Sequence, residues 1–340
     1  MMIELSELQD AAQKAFPADG LVPDRDVSWK LIAEMGWLMI DLPEADGGLG
    51  LGRDALATIL FEQGRVLSTA PLIPALLALQ AIVASPDLAG REDWIGRICG
   101  GEYVPLNLLP GSASVQADGT LAGRITGVFE ADMASHVLAG LPGRYVLIPN
   151  DAPGVTVTER PLWDRSRRLF DIALDGFRPD PALVLAEDEA AARVHDRISP
   201  AAMVALAADS LGGASAALDL TVEYLKTRRQ FDRPLAMFQA LKHRCADLKT
   251  HIASAEALLW SRCIDDAASN IDLGAMKAMA TDTYFMVVEE MIQLHGGIGL
   301  TEEHQSHLFL KRALLNMQLC GSADNWREAA GRQALAKFAG

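Results

Sequence analysis

Residues Thr227–Gln239 read TRRQFDRPLAMFQ and separate two stretches of helical periodicity. Upstream, Leu211, Leu218, Val222 and Leu225 recur along one face. Downstream, Phe238, Leu241, Cys245, Leu248, Ile252, Ala255 and Leu259 step by three and four into one apolar stripe. A third stripe, Met276, Ala280, Val287, Met291 and Leu294, runs into Gln293–Gly299 (QLHGGIG). Of 16 prolines, 15 lie at or before Pro200 and only Pro234 follows. Proline breaks helix interiors, so this stretch is free to form long helices joined by short connections, the pattern of an antiparallel bundle.

Working outward, residues 101–200 hold nine of the prolines and several short β-like runs: Ser135–Ala139 (SHVLA), Tyr145–Ile148 (YVLI) and Val155–Thr158 (VTVT). Residues 1–100 return to helix over Trp29–Met35, Leu56–Leu67 and Leu72–Val83, with turn-rich Pro43–Gly52 (PEADGGLGLG) between the first two. The expected fold class is α+β in the order helical, β, helical, with domains over 1–100, 101–190 and 191–340.

Composition narrows the function. Thirty Lys+Arg against 45 Asp+Glu leave a net charge of −15, which disfavours nucleic acid and anionic membrane as partners. Cys99, Cys245, Cys263 and Cys320 are scattered and form no CxxC, consistent with a reduced compartment and no zinc site. The N-terminal MMIELSELQDAAQKAF lacks the basic-then-apolar run of a signal peptide. No uninterrupted apolar stretch of the ~18 residues needed for a membrane span is expected. These features point to a soluble cytoplasmic protein.

Two segments carry chemistry. In the first, Arg228 and Arg229 supply planar donors suited to phosphate oxygens, Phe231 offers a ring, and Gln239 follows on the next helix. In the second, Gly296 and Gly297 let the backbone turn and approach a ligand, freeing N–H groups for a phosphate, while His295 caps the helix or meets the ligand. No strand precedes this GGxG, so it is not a dinucleotide fingerprint of the Rossmann type. His304, His307 and Glu303 have no third spaced ligand, and no metal is expected. In Leu162–Arg168 (LWDRSRR), salt bridges to Asp164 and Asp171 are the expected use of the arginines.

Taken together, these segments resemble the acyl-CoA dehydrogenase family over nearly the whole chain. Gly36–Trp37, PEADGGLGLG and Glu62–Arg65 are similar to its N-terminal helical domain. RRQFDRP with Gln239, and QLHGGIGLTEEH with Lys311–Ala313, are similar to its C-terminal helices. The resemblance implies FAD bound across a subunit interface. It implies removal of hydrogen from Cα and Cβ of an acyl-CoA, with a carboxylate taking the α proton. Arg228, Phe231 and Gln239 would meet the pyrophosphate and ribityl region. Gln293, His295, Gly296 and Gly297 would hold the adenosine end, and Ser322 would join the cofactor contacts.

The resemblance fails at two places. The family's usual glutamate falls on Cys320, in Leu319–Ser322 (LCGS), and its alternative position falls on Ala202. Alanine cannot take a proton, and a thiol is rarely a base toward carbon. Where the family has a Trp-Ile-Thr segment behind the flavin ring, this chain reads Gly127–Val128–Phe129, and Leu108–Val115 (LLPGSASV) lacks the matching acid. The expected role is therefore an accessory subunit beside a paralogous catalytic chain. One alternative is a self-sufficient homo-oligomer with a relocated base (Glu302, Glu303 or Asp209). Another is a non-catalytic flavin or CoA binder. No residue in the chain specifies the acyl group.

Overall fold

The computed structural model describes residues 4–17, 20–164 and 166–339. The helical, β, helical order is present. Helices α1 (Leu5–Ala15), α2 (Arg25–Glu34), α3 (Arg53–Arg65), α4 (Leu72–Val83) and α5 (Arg91–Cys99) come first. Strands β1 (Ser114–Val115), β2 (Leu121–Phe129), β3 (His136–Leu141), β4 (Arg144–Pro149), β5 (Val155–Arg160), β6 (Leu169–Phe177) and β7 (Val184–Glu187) follow. The chain ends with α6 (Asp188–Thr227), a hairpin of β8 (Arg229–Gln230) and β9 (Arg233–Pro234), then α7 (Gln239–Cys263), α8 (Asn270–His295), α9 (Ser306–Gln318) and α10 (Ala323–Ala339).

Contacts group these elements into two compact units that cut across the linear order. One unit combines the chain up to Pro23, Arg53–Ser68 and the chain from Met203 onward. In it α3 lies against α6 with the two backbones touching. A Cβ on Gly64 would fall 2.1 Å from the Asp209 carbonyl oxygen, and one on Gly212 would fall 1.9 Å from that of Phe61. Only glycine at both positions permits this crossing. Leu67, Leu218, Leu248, Ile252, Val287 and Phe309 fill the space beside it. Ser269 and Asp272 close a capping box that starts α8, satisfying N–H groups a bare helix end would leave open.

Helix α6 is longer than its apolar repeat suggested, at 40 residues, and it carries Pro200 in its interior. It also corrects the expectation of no membrane-length apolar segment. One of its windows is long and apolar enough to cross a membrane by length and composition. That window is wholly buried inside the protein, and small residues such as Ala205, Ala208 and Ala214 let neighbours cover it.

The second unit comprises Asp24–Gly52 and Thr69–Ala202. Its two sheets, β1-β2-β6-β5 and β3-β4-β7, are antiparallel throughout their pairings. They share one core in which Ile125, Val128, Val137, Val146, Phe170 and Ile172 point inward from alternating positions. Helix α2 is tied to this unit by the Trp29 indole, which donates to the Gly101 carbonyl at 2.8 Å. Its Arg25 also donates to buried Glu130 at 2.6 Å. Glu130 holds a left-handed φ of 46° and also accepts from the Arg168 backbone N–H at 2.8 Å.

In Leu162–Arg168, Arg168 turns away from the expected acids. Arg168 pairs with Glu159 and Asp132, and Arg167 donates to the Ala70 carbonyl. Asp171 is taken by Arg160 and Arg124, and Asp164 by the hydroxyl and N–H of Ser166. Strand pairing decides this, since Arg160 and Arg124 lie on the strands that flank Asp171. Arg165 lies outside the described residues.

Candidate functional site

The arginine motif begins where α6 stops. The Arg228 N–H still bonds the Tyr224 carbonyl at 2.8 Å, and the exposed Arg228 side chain makes no ion pair among the described residues. The hairpin then turns through Phe231 and Asp232, whose φ angles are 52° and 61°. Two consecutive left-handed non-glycine residues form a turn of the primed type, which matches the strand twist at a steric cost. The turn leaves Phe231 84% exposed, its ring 6.0 Å from Phe238. Arg233 stacks over Phe238 at 4.0 Å, which fixes the exit from the hairpin. Gln239 is the exposed first residue of α7, where helix N–H groups are unpaired and the dipole favours an anion.

The glycine motif lies beside it. Gln293, Gly296 and Gly297 are exposed, and an added Cβ on either glycine would meet nothing within 4 Å. That open backbone suits the close approach of a phosphate or a sugar. Gly296 has φ 65°, which ends α8, and its N–H bonds the Gln293 carbonyl.

Tyr224 joins the two motifs. Its ring stacks on His295 with centroids 4.3 Å apart, and its hydroxyl donates to the His295 carbonyl at 3.2 Å. His304 covers the other part of the imidazole at 4.1 Å. His295 is thus 3% exposed, with Nδ1 2.7 Å from the Met291 carbonyl. That partner makes Nδ1 the protonated nitrogen and leaves Nε2 with a lone pair. Burial lowers its pKa, the Met291 hydrogen bond opposing, so the ring is neutral near pH 7. Its side chain is the buried pin of the site, and its neighbours Gly296 and Gly297 present the open surface. Tyr224 escaped the sequence reading because a tyrosine four residues before an arginine pair carries no distinctive spacing.

Ser322 stands on a different turn. Its hydroxyl donates to Asn325 Oδ1 at 2.7 Å and its N–H bonds the same oxygen at 2.9 Å, closing the start of α10. Cys320, two residues earlier, has φ 52° and is partly exposed. Desolvation pushes its thiol up to about 11, the Lys277 charge opposing, so it is protonated and no base at neutral pH. Ala202 is buried in α6.

The other candidate bases fare no better. Asp209 is 2% exposed and already committed. It accepts from Asn316 Nδ2 at 2.7 Å and pairs with Arg312 at 3.4 Å, while Arg312 also donates to the carbonyls of Leu67 and Ser68. This correction has a simple cause: Gly64 and Gly212 bring α3 so close to α6 that Asp209 faces the interior. Glu302 and Glu303 are exposed, and Glu302 faces Lys311 at 3.5 Å.

In the β unit, the segment expected behind a flavin ring presents no side chain to one. Val128 and Phe129 are buried in the core, and the Gly127 N–H is spent on Asp171 at 3.1 Å. A Cβ on Gly127 would fall 2.4 Å from Leu109 Cδ1, so the leucine of LLPGSASV fills the space where an indole would start.

A chain order of helical, β and helical segments, with a glycine turn and an arginine hairpin pinned side by side, defines a class that known proteins make definite. Residues 6–102 match the acyl-CoA dehydrogenase N-terminal domain, and residues 202–335 match the acyl-CoA dehydrogenase C-terminal domain. The acyl-CoA dehydrogenase IpdE2 of Mycolicibacterium smegmatis is 32% identical over 86% of this chain and 83% of its own. The Mycobacterium tuberculosis IpdE2 is 33% identical over 86% and 82%. The chain belongs to the acyl-CoA dehydrogenase family. Among solved structures, the Tcur3481–Tcur3483 steroid ACAD, as a G363A variant, superimposes with a TM-score of 0.85 at 29% identity, covering 99% of both chains. Butyryl-CoA dehydrogenase from Megasphaera elsdenii gives 0.84 at 20% identity, with 98% and 100% covered. The ChsE4–ChsE5 complex from Mycobacterium tuberculosis gives 0.81 at 22%, with 97% of each chain covered.

Proposed function

We propose that this acyl-CoA dehydrogenase chain works as the accessory subunit of a heteromeric enzyme. It lends phosphate-side contacts to an FAD whose ring is served by a paralogous catalytic partner. The observation that carries this reading is the contrast within the chain. Arg228, Gln239 and the Gly296–Gly297 backbone are open and uncommitted to ion pairs, whereas residue 320 is a protonated thiol and Leu109 fills the space over Gly127. The names of two structural relatives, Tcur3481–Tcur3483 and the ChsE4–ChsE5 complex, pair two proteins each, which supports a paralogous partner. The word steroid in the first supports a bulky acyl-CoA as substrate.

FAD, when bound, supplies the hydride acceptor for α,β-dehydrogenation of the thioester. The chain's own residues have narrower tasks. Arg228 offers two N–H groups to a diphosphate oxygen, a charge-assisted contact stronger than a neutral one. Gln239 and the N-terminus of α7 add donors of favourable dipole, and the glycine turn admits a sugar or phosphate without steric hindrance. Phe231, held out by the hairpin, supplies an apolar cover. No residue of this chain described above is placed to take the α proton, so that step falls to the partner.

The test is to purify the chain alone and co-expressed with a full-length paralogue that carries the missing glutamate. Native mass spectrometry, flavin absorbance and acyl-CoA oxidation are then measured on both. A mixed oligomer with FAD and turnover, against a lone chain with neither, is the expected result. Stoichiometric FAD with turnover in the lone chain defeats the accessory role and favours the self-sufficient alternative. Flavin without turnover in either sample favours the non-catalytic binder.

A further inference from the structure

Helix α8 carries a lysine where a charge is costly. Lys277 is 0% exposed, and its ammonium donates to the carbonyl oxygens of Gly321 at 2.7 Å and Met317 at 3.2 Å. Both acceptors lie at or just beyond the C-terminal end of α9, where the last carbonyls of a helix have no partner within it. A third carbonyl of the same turn, that of Cys320, accepts from the Trp326 indole of α10 at 3.2 Å. Trp326 reaches it because its ring lies flat on the backbone of Gly274, one turn before Lys277, where a Cβ would fall 2.1 Å from the ring. The turn these groups hold is strained at Cys320, a non-glycine residue at φ 52°. Such conformations persist only when the surroundings over-determine them.

We infer that Lys277 is a positioning residue, which fixes the Leu319–Ser322 turn in one conformation whatever side chain residue 320 carries. The functional weight of this inference rests on the reading above, in which the turn occupies the place of the family's base and Ser322 joins the cofactor contacts. The holding itself does not. Two carbonyls of the turn, those of Cys320 and Gly321, and that of Met317 in the last turn of α9 are satisfied from two neighbouring helices, independently of the side chain at residue 320.

The charges around Lys277 are few and define a second readout. Its ammonium acts on the Cys320 thiol and on Asp282 of its own helix. Asp282 is paired with Arg327 of α10 and lines one groove with it and with His251 of α7. Burial lowers the Lys277 pKa to about 8. Below that pH the ammonium assists ionisation of Cys320, and above it the assistance fades. The rate of Cys320 alkylation by iodoacetamide therefore bends on a logarithmic plot near pH 8 in the wild-type chain. In Lys277→Met, which keeps the length and loses the donors, the plot is straight.

Hydrogen exchange on the full chain gives the geometric arm. Peptides covering Met317–Ser322 are expected to exchange at least tenfold faster in Lys277→Met, with α8 and the α7 peptides unchanged. Uniform acceleration across the bundle, or no acceleration, overturns the inference. If Lys277→Met does not fold, Lys277→Gln, which keeps a donor but shortens the reach, gives the same readout: unchanged exchange over Met317–Ser322 overturns the inference. Neither measurement uses FAD, acyl-CoA or a partner chain, so failure of the accessory reading leaves both outcomes standing.

Discussion

Two turns in the same helical unit have been treated differently. The turn after α8 is open: Gly296 and Gly297 have empty space beside them, and Arg228 nearby has no ion-pair partner among the described residues. The turn after α9 is closed: Lys277, Trp326 and Asn325 occupy its acceptors and donors, and its reactive group is a partly buried thiol of raised pKa. An open turn can receive a ligand. A closed one can only hold its own shape. The contrast teaches that a turn can be fixed through its backbone by groups on neighbouring helices, independently of the side chain it carries.

The largest expected effect lies at the buried ion pair of the same helical unit. Replacing Arg312 by Met leaves Asp209 buried without its cation, and removal of one partner from a buried pair typically costs about 3–5 kcal/mol. Denaturant unfolding is expected to show a loss of that order. A loss under ~1 kcal/mol would mean that the remaining partners of Asp209, Asn316 among them, satisfy the carboxylate. The next effect in size tests the open turn. Arg228→Ala in the mixed complex removes charge-assisted bonds worth about 1.5–3 kcal/mol, so FAD is expected to dissociate roughly ten- to a hundredfold more readily while the complex stays assembled. Unchanged FAD retention would remove Arg228 from the site.

The closed turn gives subtler signals. Lys277 has a folded pKa near 8, below the ordinary lysine value of 10.5. The unfolded chain therefore binds more protons between those values, and stability contributed by this group rises with pH across the window. Chain stability measured from pH 8 to 10 should climb relative to Lys277→Met, and a falling difference would contradict the sign. Restoring an acid, Cys320→Glu, is expected to give no turnover in the lone chain, because Leu109 still fills the space at Gly127. The smallest effects belong to Glu302→Gln and Glu303→Gln. Both side chains are exposed, and stability and complex activity should shift by no more than ~0.5 kcal/mol and twofold, respectively.

Much of the fold was legible. The apolar stripes after Gln239 and before Gln293 became α7 and α8, with Leu248, Ile252, Val287 and Met291 buried as their spacing implied. The β runs appeared as β3, β4 and β5 within two residues of the expected ends. The candidate site was legible only in its exposed half. Arg228, Gln239 and the glycine pair stand out because an arginine pair and adjacent glycines at the ends of apolar stripes are visible in the letters themselves. Tyr224 and Lys277 do not, since a ring pin and a buried ammonium derive their roles from the residues opposite them. Asp209 misled for the same reason: an acid on a helix looks available until another helix covers it.

By itself the sequence determined the periods, breaks and donor-rich segments of this chain, because those depend on neighbours within a few residues. It also placed a cysteine and an alanine, Cys320 and Ala202, where the resemblance leads one to expect an acid. Only the tertiary structure decided which polar groups are free and which are spent, because burial and partnership are set by segments far apart in the chain. Glu62 and Asp209 are both buried acids, yet Gln9 and Gln13 satisfy one while Arg312 and Asn316 satisfy the other. Long-range packing alone supplied those partners.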